Sequence, residues 1–166
     1  MASTPNPQVP RISELVGATS APFQLTGLRT QVTIPMQEPT GPASREMEEL
    51  ANWEPRRVIL NFEKITGGEG IPTFDVYLNV PPGETPQKHP ELYAGPLPMF
   101  GLYEASISDE FHTPSGLYKR LDVTSLFARL SLQKDWDPKN LRITLVPRHS
   151  GLLPPVSVGR ASLVFA

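Results

Sequence analysis

Three histidines, His89, His112 and His149, have the strongest claim to chemistry in this chain. They stand in the contexts KHP, FHTP and RHSG, whose proline, serine and glycine mark loops. No two are four residues apart, the spacing that sets two imidazoles on one helical face around a metal. A three-histidine site assembled across loops is the one metal arrangement they allow, and solvated loop histidines are the plainer reading. Cysteine is absent, which excludes disulfides, thiolate nucleophiles and thiolate metal sites. No serine lies in a G-x-S-x-G elbow. The glycine-rich TGGEG, Thr66 to Gly70, lacks the Gly-Lys-Ser/Thr that would make it a phosphate cradle, so it reads as a turn. Carboxylates cluster only in EMEE, Glu46 to Glu49, where a solvated face is expected. No catalytic residue and no metal ligand is assigned from the residues themselves.

The elements that must carry whatever function exists are set by composition. Charged residues make up 19% and hydrophobic residues 39%, enough for a core in a single domain of 166 residues. A net charge of −2 argues against nucleic acid, which needs a basic face. Neither a basic amphipathic stretch nor an apolar run of membrane-spanning length occurs, so no membrane partner is expected. The N-terminus has no charged start followed by an apolar core, so no secretory signal is read and a cytoplasmic location fits. Residues 1–20, rich in proline, serine and asparagine, read as a linker-like lead to a domain spanning 21–166. Twenty prolines favour short strands and loops over helices.

Period-two alternation then marks the strands. Val32 and Ile34 share a face in FQLTGLRTQVTIP. Val58, Leu60 and Phe62 alternate in RRVILNFEKI, as do Phe74, Val76, Leu78 and Val80 in TFDVYLNV. TGGEGIP between the last two has the length of a hairpin loop. FGLYEASI and GLYKRLDV read as further strands, and LRITLVP and VSVGRASLVF complete the set. DVTSLFARLSLQ is the convincing helix: Asp122 can cap it, and Val123, Leu126, Phe127 and Leu130 repeat at three and four. A shorter helical turn is expected near Glu46 to Leu50. Asp75 and Asn79 are expected to be exposed or paired across strands, Arg148 and Arg160 to form salt bridges, and Trp53 and Trp136 to pack at core or edge. About seven or eight short strands with one short helix predict a mostly β fold, an antiparallel β-sandwich or jelly-roll-like barrel.

Five segments in order carry a family resemblance. FDVYLNVPPG (Phe74 to Gly83), ELYAGPLPMFG (Glu91 to Gly101), RLDVTSLFARL, LRITLVPR and VSVGRASLVF resemble successive pieces of the C-terminal domain of tyrosinases and polyphenol oxidases, over residues 56 to 166. ELVGATSAPFQLTG is similar to the segment leaving the catalytic domain in bacterial tyrosinase-like proteins. The resemblance implies a non-catalytic β-sandwich that covers the entrance to a dicopper site and keeps the enzyme latent until proteolysis or a detergent-like treatment releases it. It also implies a part in folding or copper loading. The two copper ions and their six histidines would belong to a tyrosinase-like catalytic domain, in the same or a separate polypeptide. This chain would hold no cofactor. A stand-alone β-sandwich module binding carbohydrate or protein is the competing reading.

A shield of this kind needs a bulky side chain on a stiff loop, because a phenol pocket is concave and apolar and preorganisation limits the entropy lost on docking. In ELYAGPLPMFGLYEAS, Pro96 and Pro98 stiffen the chain while Gly95 and Gly101 permit turns. Met99, Phe100, Leu102 and Tyr103 are the shielding candidates. The segment is equally readable as a core strand with Phe100 turned inward. If alternation holds and Leu102 is buried, Phe100 shares its face, and Met99 or Tyr103 points out. PLPMFG also departs from the more polar continuation of the plant proteins, so their plug residue does not transfer by position.

Overall fold

The computed structural model describes residues 13–37, 56–107 and 115–166. Among the described residues nine strands form two antiparallel sheets. The first sheet contains β1 (Glu14–Ala18), β2 (Phe23–Leu25), β4 (Val58–Gly67), β7 (Leu117–Asp122) and β9 (Val156–Phe165), in the order β1-β9-β4-β7, with β2 also on β9. The second runs β3-β8-β5-β6, from β3 (Thr30–Pro35), β8 (Asn140–Pro147), β5 (Phe74–Leu78) and β6 (Tyr93–Leu97). Inward residues of both sheets interdigitate as one core: Leu60, Phe62 and Ile65 from β4, Phe74, Val76 and Leu78 from β5, Ile143 and Leu145 from β8, Val158 and Leu163 from β9. This is the expected sandwich, with no closed barrel.

Three expectations are corrected. TGGEGIP does not close a hairpin, because β4 and β5 lie in different sheets and the segment crosses between them. Each strand's alternation is right, but alternation carries no information about which strand is the neighbour. FGLYEASI is not a strand: it contains the helix α1 (Leu102–Ser106). The lead read as linker-like contains β1, which pairs with β9 from Glu14↔Phe165 to Ala18↔Ser162. The helical turn near Glu46 to Leu50, Trp53 and His112 lie outside the described residues.

The second helix, α2 (Thr124–Ser131), forms where the 3.6-residue pattern lies and buries Leu126 and Leu130. The Asp122 carboxylate accepts from the Thr124 N–H at 3.0 Å and from its hydroxyl at 2.6 Å, holding the helix start. Phe127 packs edge-on against both Trp136 and Phe165. Strict alternation in β4 would turn Lys64 inward. Instead Lys64 takes a left-handed conformation (φ 53°), and the bulge keeps Phe62 and Ile65 both in the core. None of the helices among the described residues is long and apolar enough to cross a membrane.

The registers fix which connections share an end. Gly67 pairs with Val156, Ile65 with Leu117, Leu25 with Val156, and Phe74 with both Pro147 and Leu97. The connections 26–29, 68–73 and 148–155, each passing from one sheet to the other, therefore lie at one end, together with the end of β6 at Leu97 and the start of β7 at Leu117.

Candidate functional site

Leu97 to Ser106 occupies that end, and β6 leads up to it from Tyr93. β6 is an edge strand, which lets Pro96 sit in it without removing a needed ladder donor. Its root is held by a polar network. Tyr93 Oη donates to Asp75 Oδ1 at 2.7 Å, and Arg148 grips the same carboxylate through Nη2 at 3.1 Å and Nε at 3.2 Å. Burial, then the hydrogen bond to Asp75, pushes the Tyr93 phenol up, so the hydroxyl remains a donor. The pairings expected of Asp75 and Arg148 are thus met in one network.

Beyond Leu97 the chain makes a tight turn over Met99 to Leu102. The Leu102 N–H donates to the Met99 carbonyl at 3.1 Å. Gly101 has φ 83° and ψ 2°, the values of the third residue of a type II turn, which an L side chain rarely adopts. Helix α1 follows at once and is pinned to the end of β4: Ser106 Oγ accepts from the Gly67 N–H at 2.9 Å and donates to the Leu102 carbonyl at 2.6 Å. Met99 and Leu102, the two feet of the turn, are buried. Phe100, at its tip, is 91% exposed and Tyr103 is 44% exposed.

The four candidates thus divide. Phe100 and Tyr103 face out, and Met99 and Leu102 face in. Tyr103 meets the alternation argument, whereas Met99 and Phe100 reverse it. The reason is local: alternation holds only for extended chain, and a turn followed by a helix replaces it here. The signal was present in the Phe-Gly pair, since glycine at the third turn position leaves the preceding residue at the apex.

His89 is a feature that residue-by-residue reading missed. It lies between two short 3-10 turns, Pro86–Lys88 and Pro90–Leu92. Its Nε2 faces the Glu84 carboxylate and its Nδ1 lies 2.9 Å from Glu91 Oε1. Both partners can only accept while ionised, so the geometry calls for the doubly protonated ring. The hydrogen bond that His89 donates to Glu91 raises the His89 pKa, and the same contact lowers that of Glu91. The E-x4-H-x-E spacing from Glu84 to Glu91 could have flagged it. His149 is exposed on the 148–155 connection. Among the described residues no group of three or more histidine, aspartate or glutamate side chains could hold a metal ion.

The outward face of the first sheet carries an open groove of about 400 Å³, beside Leu15, Tyr118 and Val164. Two of its charged groups, Glu63 and Arg160, satisfy each other. Arg160 holds Glu63 through Nε at 2.7 Å and Nη2 at 3.0 Å, and Ser162 Oγ donates to Glu63 at 2.8 Å. The Arg160 hydrogen bond keeps the Glu63 carboxyl below its ordinary range, so the pair is a structural clamp and the salt bridge expected of Arg160.

Residues 12–166 match a family whose description is "Domain of unknown function (DUF7868)". The chain belongs to that family. This DUF7868 chain is also 26% identical over 151 residues to a tyrosinase of Hahella sp. (strain CCB-MM4), an alignment covering 90% of the chain and 32% of the tyrosinase. It therefore spans about a third of that relative's length. Among solved structures, latent aurone synthase (polyphenol oxidase) from natural source has a TM-score of 0.53 at 17% identity, covering 86% of this chain and 26% of that one. The recombinantly expressed latent enzyme has a TM-score of 0.52 at 18% identity, covering 86% and 25%. The DUF7868 chain thus shares the fold of a part of latent polyphenol oxidase. The resemblance to tyrosinase and polyphenol oxidase proteins read from its motifs holds.

Proposed function

We propose that the chain is a non-catalytic shield for a tyrosinase-type catalytic unit, joined to it or supplied separately, and that Phe100 is the side chain that enters the mouth of the copper site. The observation that carries this reading is Phe100 itself, a large apolar ring 91% exposed at the apex of a turn whose feet are buried. An isolated ring in water has no stabilising role in its own fold, and rigid presentation lowers the cost of inserting it into an apolar pocket. Tyr103, the second residue of α1, would lie at the rim. The donor set of this chain does not fit a dicopper centre: it has three histidines in all, against the six that the resemblance implies. Copper chemistry is accordingly assigned to the partner and no step to this chain.

The test is inhibition in trans. The folded chain is titrated into a copper-loaded bacterial tyrosinase catalytic unit that lacks such a domain, while oxidation of a monophenol is followed. Dose-dependent loss of rate is expected, competitive with the phenol. Phe100→Ala should weaken inhibition about tenfold or more, as loss of a central aromatic anchor does, and Phe100→Trp should retain it. Full activity at high micromolar wild-type chain would refute the role.

A further inference from the structure

A single phenylalanine is too small to account for a specific contact. One ring buries roughly 150–250 Å², whereas a specific interface takes about 800 Å² from each partner. The rest of any docking area must come from surface near Phe100, and the structure supplies it at the same end of the sandwich. Leu152 is 105% exposed and Leu28 74% exposed, on the connections 148–155 and 26–29 that meet there with the Phe100 turn. Leu132, 86% exposed, follows α2 at the opposite end.

The turns that carry Leu28 and Leu152 pack against each other. Thr26 Oγ1 accepts from the Leu28 N–H at 3.2 Å and donates to the Leu28 carbonyl at 3.3 Å, which fixes the first turn. The two connections touch backbone to backbone: a Cβ on Gly27 would lie 1.5 Å from the Gly151 carbonyl oxygen. The clasp is tied to the Phe100 turn through β4. A Cβ on Gly67 would meet Leu102 Cδ2 at 3.0 Å and the Pro155 carbonyl oxygen at 3.3 Å, so both loops rest on the same residue.

We infer that the Leu28–Leu152 clasp is a second anchor of the docking face, and that the catalytic unit seats on this whole end of the sandwich rather than on Phe100 alone. The inference rests on the shielding role proposed above. The occupant follows from size and chemistry. The chain spans 32% of the related tyrosinase, which leaves about two thirds of such a protein as a large neighbour. A ring inserted in that neighbour's pocket brings the surrounding loop tips against its rim, where exposed leucines call for an apolar surface.

The experiment measures affinity and inhibition together, again with the copper-loaded bacterial tyrosinase catalytic unit lacking this domain. The variants are Leu28→Asp with Leu152→Asp, Phe100→Ala, and Leu132→Asp as a control of equal exposure at the far end. The double variant should bind at least about tenfold more weakly than wild type, with Leu132→Asp within about twofold. Circular dichroism melting confirms folding, and Leu28→Gln with Leu152→Gln replaces the aspartates if they unfold the chain. If Phe100→Ala relieves inhibition while the double variant binds as wild type does, the second anchor is overturned and the shielding role stands. Equal weakening by Leu132→Asp would reduce the effect to general stickiness and also overturn it. If wild type neither binds nor inhibits, the shielding role falls and the inference with it.

Discussion

At the scale of the residue, the charged side chains act as clamps whose strength depends on pH in opposite senses. The His89 pKa is raised, so the folded state holds that proton more tightly than the unfolded chain does. Its contribution is fully present below the ordinary imidazole value of about 6.5 and is lost as pH rises through the raised value. Glu91, lowered by the same contact, contributes above the ordinary carboxylate range and loses its contribution as pH falls through its lowered value. The clamp is strongest between the two. His89→Gln should therefore flatten the fall of melting temperature as pH rises above the ordinary imidazole value; superimposable wild-type and variant profiles would count against the clamp. Glu63 is likewise lowered, first by the Arg160 hydrogen bond, so its contribution is present at neutral pH and lost on acidification. Glu63→Ala also leaves the buried Ser162 hydroxyl without its acceptor, a loss of about 1–3 kcal/mol. Denaturant titration should show that loss at neutral pH and a smaller one in acid.

At the scale of the element, the Phe100 turn separates what presents the ring from what holds it. Phe100→Ala should leave stability within about 0.5 kcal/mol of wild type, as for exposed positions generally. Leu102→Ala removes a buried foot and should cost roughly 2–5 kcal/mol; an urea titration showing equal effects would contradict the burial that separates them. Gly27→Ala should also destabilise, by about 1–3 kcal/mol, because the Gly151 carbonyl oxygen has nowhere to move without parting the two connections. These elements also mark how far the sequence can be read. Strands such as β5, β8 and β9 were legible because each buries a face at period two. Helix α2 was legible because its apolar residues return at three and four. Pairing was not: the short TGGEGIP path looks like a hairpin, and only the competition of all strands for neighbours sends its ends to different sheets. The site was legible as a segment, from its crowding of apolar residues among prolines and glycines. The outward side chain is legible only through the Phe100-Gly101 pair, because the positive φ at Gly101 makes a turn there and alternation holds only in extended chain.

At the scale of the whole molecule, the sandwich is a holder for one loop-bearing end. Gathering inter-sheet connections there sets Phe100, Leu28 and Leu152 on the same end. One consequence concerns the making of the protein. Strand β9, the most C-terminal, lies between β1 and β4 and also pairs with β2, so it contributes most of the first sheet's partners. Those earlier strands cannot complete their pairing while Val156 to Phe165 is still being synthesised. Long-range pairing of this kind is slow and exposes unpaired edges in the interval. The domain therefore closes only after its final strand has left the ribosome, and ribosome-bound chains stalled before Val156 should be cut readily by protease where the released chain resists.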